Sequence, residues 1–95
     1  MVKAIKDLIP TVLQHAMAQH EKIQQLQRRW ASLVGRQLAA HTRPVSLRRG
    51  RLYVNTNEPG ASFALNLEKT RLLEQLHKAP YHVEDIVIRA GELPG

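Results

Sequence analysis

Eight of the chain's 14 basic side chains lie between Lys22 and Asn57, a stretch with no acidic residue: Lys22, Arg28, Arg29, Arg36, Arg43, Arg48, Arg49 and Arg51. That stretch carries +8, and because the whole chain is +6 the remainder is −2. Charge gathered in this way makes a local positive potential that draws polyanions, whereas the same charge spread evenly would only aid solubility. Seven of the eight are arginine, whose planar fork meets phosphate oxygens two at a time where a lysine offers a point charge. Phosphate binding is the chemistry these residues could do. The competing reading is a solvated basic face with no ligand.

Other chemistry has thin support. His15 and His20 are five residues apart, about 140° round a helix, which is too far for a shared metal. His77 and His82 flank a loop with no acidic pattern to complete a site, and Glu84 and Asp85 point to opposite sides of a strand. Ser32, Ser46 and Ser62 sit in no nucleophile motif. There is no Cys, so neither a disulfide framework nor a thiolate zinc site can form. Neither an enzyme nor a cofactor is expected.

The elements that must position the arginines follow from apolar spacing. Ile5, Leu8, Ile9, Val12, Leu13, Ala16 and Met17 recur every three or four residues, as one helix face requires. Pro10 disfavours helix just before it, which predicts a short lead-in over 1–9 and then a helix with Pro10 in its first turn. Ile23, Leu26, Trp30, Leu33, Val34 and Leu38 continue the stripe and predict a second helix over about 21–40. Lys22, Arg28 and Arg29 fall on its exposed surface and are candidate partner-binding residues. Trp30 lies on the apolar stripe and reads as core. His41-Thr42-Arg43-Pro44 reads as a helix end, where His can meet free carbonyls, and Gly35 as a close backbone approach or a bend.

A hairpin comes next. Val45 and Leu47 alternate with polar neighbours, as do Leu52, Val54 and Thr56, and Arg49-Gly50 supplies a two-residue turn. The implied register pairs Leu47 with Leu52 and Arg48 with Arg51, which puts Ser46, Arg48, Arg51, Tyr53 and Asn55 on one face. Like charges opposite each other are mildly unfavourable in a sheet, so Arg48 facing Arg51 wants an anion or open water. Arg36, Arg43, Arg48, Arg49, Arg51 and Tyr53 are the candidate nucleic-acid-binding residues. Tyr53 either stacks on an unpaired base or covers the sheet against the N-terminal helix.

Asn57-Glu58-Pro59 reads as a helix start. Phe63 and Leu67 share a face nearly opposite to Leu65, Leu72 and Leu76. The segment therefore either breaks near Glu68–Thr70 or is buried on two sides, and the break is the preferred reading. A final strand runs from Val83 to Arg89 with Ile86 and Ile88 inward, and residues 91–95 read as a loose end. The whole is one α+β domain over 1–95: two N-terminal helices, a hairpin, one helix or two short ones, and a last strand. Its three-stranded sheet carries helices on one face, in the type II KH-like order.

The run from Trp30 through Leu33-Val34-Gly35 and Leu38 to His41-Thr42-Arg43-Pro44, followed by Leu47, Gly50, Leu52 and Val54, resembles the DciA family. Phe63 with Leu67, and Ile86 to Arg89 followed by Gly91, extend the likeness. Members are bacterial proteins that help a DnaB-type replicative helicase onto DNA. The resemblance implies a KH-like domain that engages the helicase and contacts DNA, in the cytoplasm. It also marks the chain as a short member without the long basic extension many relatives carry. KH domains that bind nucleic acid clamp phosphates with a Gly-x-x-Gly loop; this sequence has none, so that route is closed. Alternatives are a stand-alone KH-like module for RNA or DNA, and a purely protein-binding adaptor. Composition adds that no apolar run approaches the roughly 20 residues of a membrane span.

Overall fold

Ile23, Leu26, Trp30 and Val34 recur at three- and four-residue spacing, and all four are buried on one side of a single long helix, α1 (Thr11–Val34). The computed structural model describes residues 11–78 and 80–94, and of 11–18 only the backbone. The lead-in over 1–9 and the place of Pro10 lie outside the described residues, as do the side chains of Val12, Leu13, Ala16 and Met17. Two successive helices were expected where α1 runs unbroken. The stretch from Gln19 to Lys22 lacks apolar residues but contains no helix breaker, and a helix need not stop where its buried stripe stops.

What ends α1 is Gly35. Its φ of +91° turns the chain away, a conformation glycine adopts without the Cβ penalty. Nothing lies within 4 Å of where a Cβ would sit, so the glycine serves the bend and not a close approach. A short helix, α2 (Arg36–Ala39), follows and leads directly into strand β1 (Thr42–Arg48).

β1 pairs antiparallel with β2 (Arg51–Thr56), and β2 pairs parallel with β3 (Asp85–Ala90), giving the mixed order β1-β2-β3. The hairpin register is the expected one at its tip, with Leu47 opposite Leu52 and Arg48 opposite Arg51. A bulge between Pro44 and Ser46 then inserts Val45. An extra residue reverses the inward-outward alternation beyond it. Thr42 and Pro44 consequently face the core, and Val45 is only half-buried.

Thr42 lies in the strand, not at a helix end. Its hydroxyl accepts from the Trp30 indole at 2.9 Å and donates to the Leu38 carbonyl at 2.6 Å. One buried threonine thus satisfies the core tryptophan and ties α1, α2 and β1 together. His41, expected to cap a helix, turns elsewhere. Its carbonyl accepts from the Asn57 amide, and its ring nitrogens lie 3.2 Å from Asn57 Oδ1 and 3.3 Å from Glu58 Oε2.

The segment after the hairpin breaks at Glu68, between α3 (Pro59–Leu67) and α4 (Lys69–Leu76). Glu68 tightens the turn, donating its amide to Leu65 three residues back. Leu65, Leu72 and Leu76 all join the core with Leu26, Leu52, Val54, Val83 and Ile86. The break does not bring Phe63 and Leu67 inside, which had been its rationale. They remain 69% and 72% exposed.

α1, α3 and α4 cover one side of the sheet, and the other side faces outward. Beyond β3, the tail expected to be loose is held across residues 91–94. Gly91 donates to the Thr56 carbonyl, Asn55 to that of Glu92, and Arg43 to that of Pro94.

Candidate nucleic-acid interface

The turn between β1 and β2 sets the geometry of the basic residues. Arg49 and Gly50 have φ of +52° and +78°, the two left-handed positions of a type I′ hairpin turn. Glycine adopts this freely, but for an arginine it costs about 1 kcal/mol. The Gly50 carbonyl accepts from the amides of Glu84 and Asp85, which pins the hairpin tip to the start of β3. From that turn Leu47 and Leu52 point into the core while Ser46, Arg48, Arg51 and Tyr53 rise on the outer face.

The parallel pairing of β3 brings a residue the sequence reading did not select. Val87 lies beside Tyr53 and Arg89 beside Asn55. With Ile86 and Ile88 turned towards the core, Arg89 joins the outer face. It is exposed, and its guanidinium carbon lies 4.8 Å from the centre of the Tyr53 ring. The Arg48 guanidinium lies 5.2 Å from the same centre. Each is a diagonal neighbour of Tyr53, one on either flanking strand. Neither sequence expectation for Tyr53 describes this arrangement, in which what lies over the ring is a pair of cations.

Arg48, Arg49, Arg51 and Tyr53 line an open hollow of about 480 Å³. Among the described residues no carboxylate comes within ion-pair distance of Arg43, Arg48, Arg49, Arg51 or Arg89. Asp85, opposite Arg51 in the β2–β3 register and within its field, is engaged by Lys69 of α4 at 3.1 Å. Lys69 first, and then the Ile86 amide at 2.8 Å, hold its carboxyl below the usual carboxylate range.

Not every candidate gathers here. Arg43 lies on β1 opposite Asn55, at the far end of the sheet from the tip, and its guanidinium donates to the Pro94 carbonyl. Arg36 is further removed. It lines a second hollow of about 650 Å³ between α2 and α3, with Leu38, His41, Gly60 and Ala64. Of the candidate partner-binding residues, Arg28 is exposed and Lys22 half-buried on α1, while Arg29 donates to the Tyr81 hydroxyl at 3.3 Å. Phe63 and Leu67, one turn apart, extend the apolar surface begun by Gly60 and Ala64.

Arg89 could have been found only by knowing that β3 lies parallel to β2 and in which register. Its sole signal in the sequence is alternation against Ile86 and Ile88. Among the described residues no cluster of three His, Cys, Asp or Glu side chains could hold a metal. No described helix is long and apolar enough to cross a membrane.

Helices on one side of a mixed three-stranded sheet, with arginines on the other, define a small KH-like α+β domain. The chain belongs to the DciA family: the family model described as "Dna[CI] antecedent, DciA" matches residues 4–88. That membership implies a role in DNA replication as a loader of the DnaB-type helicase, in a family of accessory proteins and not of catalysts. No curated protein matches the chain.

Proposed function

We propose that this protein aids helicase loading by holding DNA on the outer face of its sheet, through Arg48, Arg49 and Arg51, while it engages the replicative helicase elsewhere. The observation that carries the DNA side is the hairpin tip. Three unpaired arginines surround one hollow, and one of them occupies a left-handed position that its residue type disfavours. Cations that make no direct ion pair among the described residues suit a phosphate backbone, whose neutralisation releases counterions and makes affinity fall with salt. Arg43 extends the same face, and Arg36 does not. The work of such a protein places it in the cytoplasm.

A second observation bears on the helicase side. Phe63 and Leu67 expose apolar surface next to the hollow between α2 and α3. The centres of protein interfaces are depleted in charge and enriched in aromatic residues. This surface therefore suits the helicase better than Lys22, Arg28 and Arg29, the last of which is engaged with Tyr81.

The test is binding of a labelled single-stranded oligonucleotide at a series of salt concentrations. Arg48→Ala, Arg49→Ala and Arg51→Ala together should lower the slope of log affinity against log salt by about 2, at roughly 0.7 per contact. Unchanged affinity and slope would rule out the hairpin as the site. The same substitutions leave co-elution with the hexameric helicase intact if the two surfaces are separate.

A further inference from the structure

Among the described residues the half-buried Tyr53 ring is the one aromatic surface on the outer face, and a ring on a basic sheet is the usual platform for stacking an unpaired base. Its surroundings argue for a different use. Arg48 and Arg89 lie 5.2 and 4.8 Å from the ring centre, within the roughly 6 Å over which a guanidinium is held by an aromatic quadrupole. The two come from opposite flanking strands, and their positions follow from the β1–β2 and β2–β3 registers. A base stacking on a face of the ring that a guanidinium covers must first displace it. The guanidinium edges, in contrast, keep their donors free while stacked, because cation–π contact uses the plane of the fork and hydrogen bonding uses its rim.

We infer that Tyr53 is a pedestal and not a stacking platform. It fixes Arg48 and Arg89 as a two-point phosphate clamp across all three strands, and Arg89 is a DNA-contact residue in its own right. The clamp reads the backbone and ignores the bases, so the ligand is a run of phosphodiesters of any sequence. Side-chain entropy supports the arrangement. A free arginine gives up rotamer freedom when it meets a phosphate, whereas one already stacked on a ring has given up part of it beforehand. Arg89 also explains why the clamp needs the tertiary fold, since it lies 38 positions beyond Arg51 in the chain. The inference rests on the proposal that the sheet face holds DNA.

The experiment compares two labelled strands of equal length, an oligothymidylate and a strand of abasic deoxyribose phosphates, across 50–200 mM salt. The variants are Arg89→Ala, Tyr53→Phe, Tyr53→Leu and the hairpin triple alanine. Arg89→Ala should reduce the affinity lost over that salt range by about 2.6-fold, the effect of one contact at a slope of roughly 0.7. Tyr53→Phe should bind as the unsubstituted protein does, because the ring remains. Tyr53→Leu should weaken both strands by the same factor.

A loss confined to the base-bearing strand in Tyr53→Leu would show stacking and overturn the pedestal. So would an Arg89→Ala slope equal to that of the unsubstituted protein while the triple variant's slope falls. If the unsubstituted protein and the triple variant bind equally, DNA contact by the hairpin itself fails. Thermal unfolding of Tyr53→Leu separates a local loss from a damaged fold, and exposed Arg89 provides a variant free of that concern.

Discussion

The outer face of the sheet and the outward side of α3 are both exposed and both poised for contact, but they were built by opposite rules. On the sheet, charge is placed by register: a two-residue turn and a parallel crossover bring Arg48, Arg51 and Arg89 around Tyr53. On α3, apolar surface is simply left over, because Ala61 and Leu65 satisfy the core and Phe63 and Leu67 lie on the other side. Among the described residues the sheet side has arginines that make no direct ion pair, and the helix side has hydrophobes left exposed. Salt should separate them. A phosphate contact weakens as counterions are added, whereas burial of an aromatic ring does not.

Removing the scaffold common to both faces should have the largest effect. Trp30→Ala deletes the largest fully buried side chain and removes the donor to the Thr42 hydroxyl. It should cost about 3–5 kcal/mol and abolish both DNA and helicase binding together, as read by denaturant unfolding alongside the two binding assays. Selective loss of one activity in a folded Trp30→Ala would mean that the surfaces do not share a core.

Phe63→Ser with Leu67→Ser should act on the helix side alone. If this surface is the centre of the helicase contact, association should weaken by about 2 kcal/mol or more, measured by titration against the hexamer. Stability should stay within about 0.5 kcal/mol, as for exposed positions in general, and the salt slope for DNA should not move.

Arg49→Asn probes a smaller effect with opposite signs on stability and binding. Asparagine tolerates φ of +52° better than arginine does, so unfolding should become harder by about 0.5 kcal/mol. The same change removes one cation, and the slope for DNA should fall by about 0.7. A stability gain without loss of binding would show that Arg49 is not a contact.

The smallest effect concerns Asp85. Lys69 and the Ile86 amide lower its pKa in the folded chain. A lowered folded pKa contributes stability that is present above the unfolded value and lost as pH falls through the folded one. Asp85→Asn should therefore lower the melting temperature slightly near neutrality, match the unsubstituted protein below the folded pKa, and so flatten the acid limb. An acid limb as steep as before would show that the Lys69 pair contributes nothing measurable.

Much of the framework was legible from spacing alone. The buried stripe of α1, the Leu47–Leu52 register, the Arg49-Gly50 turn and the break at Glu68 all follow from short-range pattern. Such patterns report how one residue sits relative to neighbours a few positions away. The misses have the same explanation in reverse. Val45 was expected inside because alternation was extended through a bulge that only pairing with β2 produces. Phe63 and Leu67 were expected inside because apolar residues usually are, and nothing local says that a helix has already filled its share of the core. His41 does follow a helix end, but its ring was expected to meet free carbonyls because Asn57 and Glu58, its neighbours in space, lie 16 and 17 positions along the chain.

The sequence by itself determined that a basic, acid-free stretch would be carried on a helix and a hairpin, and that the hairpin's arginines would share a face. Charge content and side-chain alternation are local properties and survive any assembly of the elements. The tertiary structure decided which cations lie together. It drew Arg89 in through a parallel strand pairing, sent Arg36 to the opposite end of β1, and left Phe63 and Leu67 outside. Each of these depends on contacts between residues distant in the chain, which no local pattern encodes.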